Sequence, residues 1–76
     1  MSHREILVHI DEELKKNNRD DLSKNVTGLS GVESVDIKDQ RPHLMIVAYN
    51  DSKVKALELL NGVRHHGVHA QIAGWL

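Results

Sequence analysis

The first residues alternate in polarity. Ile6, Val8 and Ile10 fall on one face and Leu7 and His9 on the other, which predicts a strand from Glu5 to Ile10. After the acidic Asp11-Glu12-Glu13, the apolar points of a polar stretch are Leu14, Leu22, Val26 and Leu29. Their spacing keeps them near one helical stripe and predicts a helix ending at Thr27-Gly28. The segment KKNNRDD is weak helix sequence, because Asn and Asp favour caps and turns. The helix is therefore expected to begin as late as Asn18, with Asp11 to Asn17 as a loop.

Val35 and Ile37 alternate with Asp36 and Lys38 as a second strand. Pro42 closes a short turn, since it cannot continue a central ladder and drives Arg41 toward extended geometry. His43 to Tyr49 then reads HLMIVAY, the nearly continuous apolar run of a strand in the middle of a sheet. Asn50-Asp51-Ser52 offers capping side chains for a second helix. Its stripe is expected to be Val54, Leu57, Leu60 and Val63, supplemented by Ala56 and Leu59, with Gly67 as its stop. A last strand runs from Val68 to Ala73, with Val68, Ala70 and Ile72 opposed to His69, Gln71 and Ala73.

The order strand, helix, strand, strand, helix, strand predicts an α+β, ferredoxin-like βαββαβ sandwich: a four-stranded antiparallel sheet with two helices on one face. Right-handed crossovers put the first and third strands side by side at the centre, expected as a parallel pair, with the fourth beside the first. The expected core is Ile6, Val8, Ile10, Leu22, Val26, Val35, Ile37, Met45, Val47, Tyr49, Val54, Leu57, Leu60, Val68, Ala70 and Ile72. Strand parity decides that list, because slipping by one residue exchanges the two faces.

Length and composition narrow the class. The 76 residues form a single domain, 1–76, too short for a second. No apolar run approaches the ~20 residues of a membrane span. The opening MSHREILVHIDEE turns acidic where a signal peptide needs an apolar stretch, so a cytoplasmic protein is expected. Ten basic residues against eleven acidic argue against a nucleic-acid partner. With no cysteine there is no disulfide, thiolate nucleophile or sulfur-based metal site.

The motifs Leu29-Ser30-Gly31-Val32-x-Ser34-Val35-x-Ile37, Val47-x-Tyr49-Asn50, VKALELLNGVRHHG and Val68-x-Ala70-x-Ile72-Ala73-Gly74 span the chain from Glu5 to Gly74. In these the sequence resembles heavy-metal-associated domains, the fold of small copper chaperones and of the amino-terminal modules of metal-pumping ATPases. The resemblance implies the ferredoxin-like fold and, for the family, a Cys-x-x-Cys in the loop entering the first helix. Counting back from Gly31-Val32 puts that motif on Lys15-Lys16-Asn17-Asn18, so Lys15 and Asn18 stand where the thiolates belong. Neither can hold copper(I) as a sulfur pair does. Both are expected to be exposed and to ligate nothing.

Six histidines are the remaining candidate chemistry. His9 and His69 fall on the helix-free face of neighbouring strands, either as plain surface histidines or as a pair sharing a ligand, with His66 as a third candidate ligand in the cluster His65-His66-Gly67-Val68-His69. Imidazole suits copper(II), zinc, nickel or haem iron, so the cofactor candidates are a transition metal or haem. The plainer reading of the cluster is favourable interaction with a helix C-terminus. His43 is expected at the opposite end of the sheet from His69, facing solvent, with a small pair beside His3 as the lesser reading. Two ligands fall short of the usual shell, which a dimer would complete.

No enzyme motif is present: no phosphate-cradling glycine loop, no His-Glu-x-x-His, and none of the arginine-bearing loop of acylphosphatases, which share the topology. Tyr49 and Trp75 are the only aromatics of these types, too few for an RNA-binding sheet. The expected function is a non-catalytic binding module holding a metal or haem. The alternative is a cofactor-free homodimerising or regulatory interaction domain. On the helix-free face, Leu7, Leu44, Ile46, Ala48 and Ala73, with Trp75 at the margin, form an apolar patch of the kind that marks association. The expected partner there is a second copy or another protein; the bland alternative is cover by the folded-back tail, Trp75 and Leu76.

Overall fold

A computed structural model describes residues 3–76. The elements are β1 (His3–Ile10), α1 (Lys16–Thr27), β2 (Val32–Ile37), β3 (Leu44–Asn50), α2 (Ala56–Arg64) and β4 (Ala70–Trp75). The four strands form one sheet in the order β2-β3-β1-β4. This is the ferredoxin-like sandwich expected from the pattern.

The central pair differs from expectation: β1 and β3 are antiparallel, with Ile6 opposite Val47, Val8 opposite Met45 and His9 opposite Leu44. The crossover through α1 makes β1 and β2 run the same way. The tight return from β2 then sends β3 back between them, antiparallel to both. This correction moves His43 to the end of the sheet where β1 finishes.

Strand parity follows the sequence. Ile6, Val8 and Ile10 on β1 and Met45, Val47 and Tyr49 on β3 are buried, joined by Leu22 and Val26 of α1 and Leu59, Leu60 and Val63 of α2. Val35, Ile37, Val68 and Ile72 pack half-buried at the margin of this core. Leu44 and Ile46 stand on the other face, as the parity requires.

Two expectations about α2 fail for one reason. The helix starts at Ala56, with extended Lys55 before it and no capping side chain. Asn50 serves the preceding turn instead, its Oδ1 accepting the Ser52 N–H at 2.9 Å. The inward stripe is therefore Ala56, Leu59, Leu60 and Val63, the i, i+3, i+4, i+7 face. Leu57 lies off that stripe and is 69% exposed, outside the core to which it was assigned. α1 begins at Lys16, two residues before the expected limit.

Two glycines set close approaches. Gly31 has φ +88° at the entry to β2, and a Cβ there would lie 2.6 Å from Val54 Cγ1. A Cβ on Gly62 would meet Leu29 Cδ1 at 2.7 Å, so the helix glycine makes room for Leu29 of the loop between α1 and β2.

Candidate functional site

The resemblance to heavy-metal-associated domains puts their thiolates where the loop between β1 and α1 enters the helix, at Lys15 and Asn18. Lys15 is the extended residue before α1 and caps nothing with its side chain, and Asn18 lies in the first helical turn. Both are exposed, as expected. Arg19 pins the loop: its guanidinium donates to the Leu14 carbonyl at 2.9 Å and to Asp39 at 3.0 Å. A copper(I) dithiolate does not fit these residues, since they offer an ammonium and an amide in place of two sulfurs. Beside the loop, Glu12, Asn18, Asp21 and His66 line part of a shallow cavity of about 250 Å³. His66 itself sits in the turn after α2, its backbone N–H bonded to the Val63 carbonyl at 3.1 Å.

The end of β1 and the starts of β3 and β4 bring three histidines to one end of the sheet. The Asp11 N–H donates to the His69 carbonyl at 2.8 Å, extending the β1–β4 ladder by one bond. His9 pairs with Gln71 in that ladder, so His69 is its diagonal neighbour across the strands. Their imidazoles take separate partners. His9 Nδ1 lies 3.2 Å from Asp11 Oδ1. His69 Nδ1 lies 2.5 Å from Glu12 Oε2, while Glu12 Oε1 accepts the His69 backbone N–H at 2.8 Å.

This contact perturbs both groups. The hydrogen bond first, and the opposite charge second, raise His69 above the usual imidazole range. The same hydrogen bond, with the one from the His69 backbone, lowers Glu12 below the usual carboxylate range.

His43 belongs to this end, not to the opposite one. Ile10 N–H donates to the His43 carbonyl at 2.8 Å, and His43 Nδ1 lies 2.8 Å from the Ile10 carbonyl. Its ring stacks on His9 with centroids 5.9 Å apart and planes at 16°. His3, its expected neighbour, bonds Glu33 instead. Sequence reasoning missed His43 because the strand was given the wrong direction; the antiparallel register alone would have revealed it. Among the described residues, no group of three or more His, Asp or Glu side chains is gathered to hold a metal ion.

The helix-free face carries the expected apolar row. Leu7 stands opposite Ile46, flanked by Leu44 and the buried Ala48. At the edge, the β1–β4 register shifts between Leu7 and Val8, making Ala73 the extra residue of a bulge. Beyond it Gly74 stands opposite Leu7 and Trp75 opposite Ile6, so Trp75 leaves the row of Leu7 and Ile46. Trp75 and Leu76 remain 62% and 67% exposed, and Leu76 N–H bonds the Glu5 carbonyl at 3.0 Å, continuing alongside β1. The tail runs on as strand edge and does not fold back over the patch. Among the described residues, no helix is long and apolar enough to cross a membrane.

No protein-family model matches the sequence, and no curated protein sequence matches it. Solved structures do match the fold. A copper-binding domain from the P-type ATPase HMA7 superposes with a TM-score of 0.86 at 15% identity, over 95% of this chain and 96% of that one. The amino-terminal domain of a potential copper-translocating P-type ATPase from Bacillus subtilis gives 0.85 at 15% identity, over 97% and 91%. The yeast copper transporter domain Ccc2a gives 0.82 at 18% identity, over 96% and 99%. The chain has the heavy-metal-associated fold without its cysteine motif.

Proposed function

We propose that this chain is a small non-catalytic module that holds a transition-metal ion through imidazole in place of thiolate. The observation that carries the reading is His9, its Nδ1 against the Asp11 carboxylate, at the end of the sheet that also holds His43 and His69, the latter against Glu12. A carboxylate accepts, so Nδ1 carries the hydrogen and Nε2 of the neutral ring keeps its lone pair. Metal-ligating histidines are held by such outer partners. The anions also favour a cation nearby. Copper(II), zinc and nickel are the ions that imidazole suits, and solved structures of this fold include domains described as copper-binding. Untagged protein dialysed against each metal and then desalted is expected to retain one of them by elemental analysis. Protein that retains none contradicts the reading.

A second reading rests on the apolar row Leu7, Leu44, Ile46 and Ala48. The outer side of an antiparallel sheet is ordinarily polar when it faces water, whereas this row is aliphatic at the sheet's centre. It supports association with a second copy or another protein. Light scattering on the wild type and on Ile46→Glu tests it. A concentration-dependent dimer abolished by the substitution supports self-association, and a wild type that stays monomeric at high concentration removes it.

A further inference from the structure

The geometry points to His9 and His43, not His9 and His69, as the pair of imidazoles that binds a divalent transition-metal ion, with Asp11 and the Ile10 carbonyl as their outer-shell acceptors. This inference rests on the metal-binding reading and names its ligands.

A carbonyl oxygen can only accept, so His43 carries its ring hydrogen on Nδ1, 2.8 Å from the Ile10 oxygen. Asp11 selects the same tautomer in His9, at 3.2 Å. In both neutral rings Nε2 is therefore the donor available to a metal. The rings are stacked nearly parallel, with centroids 5.9 Å apart. Binding one ion requires the half-exposed His9 ring, whose side chain is 39% accessible, to swing until the two Nε2 atoms converge.

His43 is also the better anchored partner. Its carbonyl and its ring bond the N–H and the carbonyl of one residue, Ile10, clamping the start of β3 to the end of β1. His69 is 82% exposed in its side chain and is held by Glu12. Two imidazoles leave the rest of the shell to water, an arrangement suited to tetragonal copper(II), whose affinity for nitrogen donors exceeds that of its divalent neighbours.

The test is a copper(II) chloride titration of the untagged full chain by calorimetry, with imidazole NMR signals followed in parallel. His9→Ala and His43→Ala are each expected to weaken binding about tenfold or more. The double variant should add little, as for two groups acting on one ion. Asp11→Ala, which leaves both ligands in place, should lower affinity about tenfold through the lost outer partner. His69→Ala should bind as wild type. Should alanine at 43 loosen the strand end, His43→Gln keeps an N–H for the Ile10 carbonyl and must still lose copper. Copper binding that survives in His43→Gln but fails in His69→Ala overturns the pair while leaving the metal-binding reading intact. A wild type that binds no copper(II), zinc or nickel overturns both.

Discussion

Glu12 holds His69 twice, one carboxylate oxygen accepting its backbone N–H at 2.8 Å and the other meeting its Nδ1 at 2.5 Å. The two contacts tie the residue before β4 to the loop after β1, beside the bond from the Asp11 N–H to the His69 carbonyl.

That tether has a pH window. The raised His69 contributes fully below the ordinary imidazole value of 6.5, and the contribution is lost as pH rises through its higher folded value. The lowered Glu12 contributes fully above the ordinary value of 4.5, and the contribution is lost as pH falls through its lower folded value. The pair is therefore strongest from 4.5 to 6.5. The melting-temperature difference between wild type and Glu12→Gln should peak in that window and shrink with added salt, because both groups are solvent-exposed. A difference that stays constant from acid to alkaline pH would contradict the tether.

Lys15 and Asn18, where the resemblance puts the thiolates, are exposed residues. Replacing both by alanine should change stability by no more than about 0.5 kcal/mol, as surface substitutions usually do. Urea unfolding measures it, and a larger loss would reveal a structural duty for one of them.

The phase of α2 separates two leucines. Leu60, 6% exposed, is expected to cost about 2–5 kcal/mol when changed to alanine, from lost burial and the cavity left behind. Leu57→Ala, at 69% exposure, should stay within about 0.5 kcal/mol. Comparable losses at both positions would mean that the helix is rotated from the phase described.

Gly31→Ala should destabilise by about 1–3 kcal/mol from the positive φ alone. Contact with Val54, at 2.6 Å from the added Cβ, adds to this. Combining it with Val54→Ala should recover only the steric share. Full recovery in the double variant would show that the backbone there is not strained.

Face, class and most element positions were legible in the sequence because they depend on local periodicity. Alternation over Ile6, Val8 and Ile10, and over Met45, Val47 and Tyr49, states which side of each strand is buried, and burial bears it out. The absent thiolates were equally plain, since a missing residue type needs no structure to detect. Leu57 was misassigned because Val54 suggested a helix two residues longer at its start. Helical phase depends on where the helix begins, and no capping side chain marks Lys55.

What the tertiary structure decided lies between strands distant in sequence. Only the antiparallel pairing of β1 with β3 brings His43 onto Ile10 and His9, residues 33 and 34 positions away in the chain. Only the bulge at Ala73 moves Trp75 from the row of Leu7 into register with Ile6. Strand periodicity carries the face of a residue but neither its partner's direction nor a one-residue shift in the ladder. Those are set by which backbone bonds close across the sheet, and the candidate site is made of them.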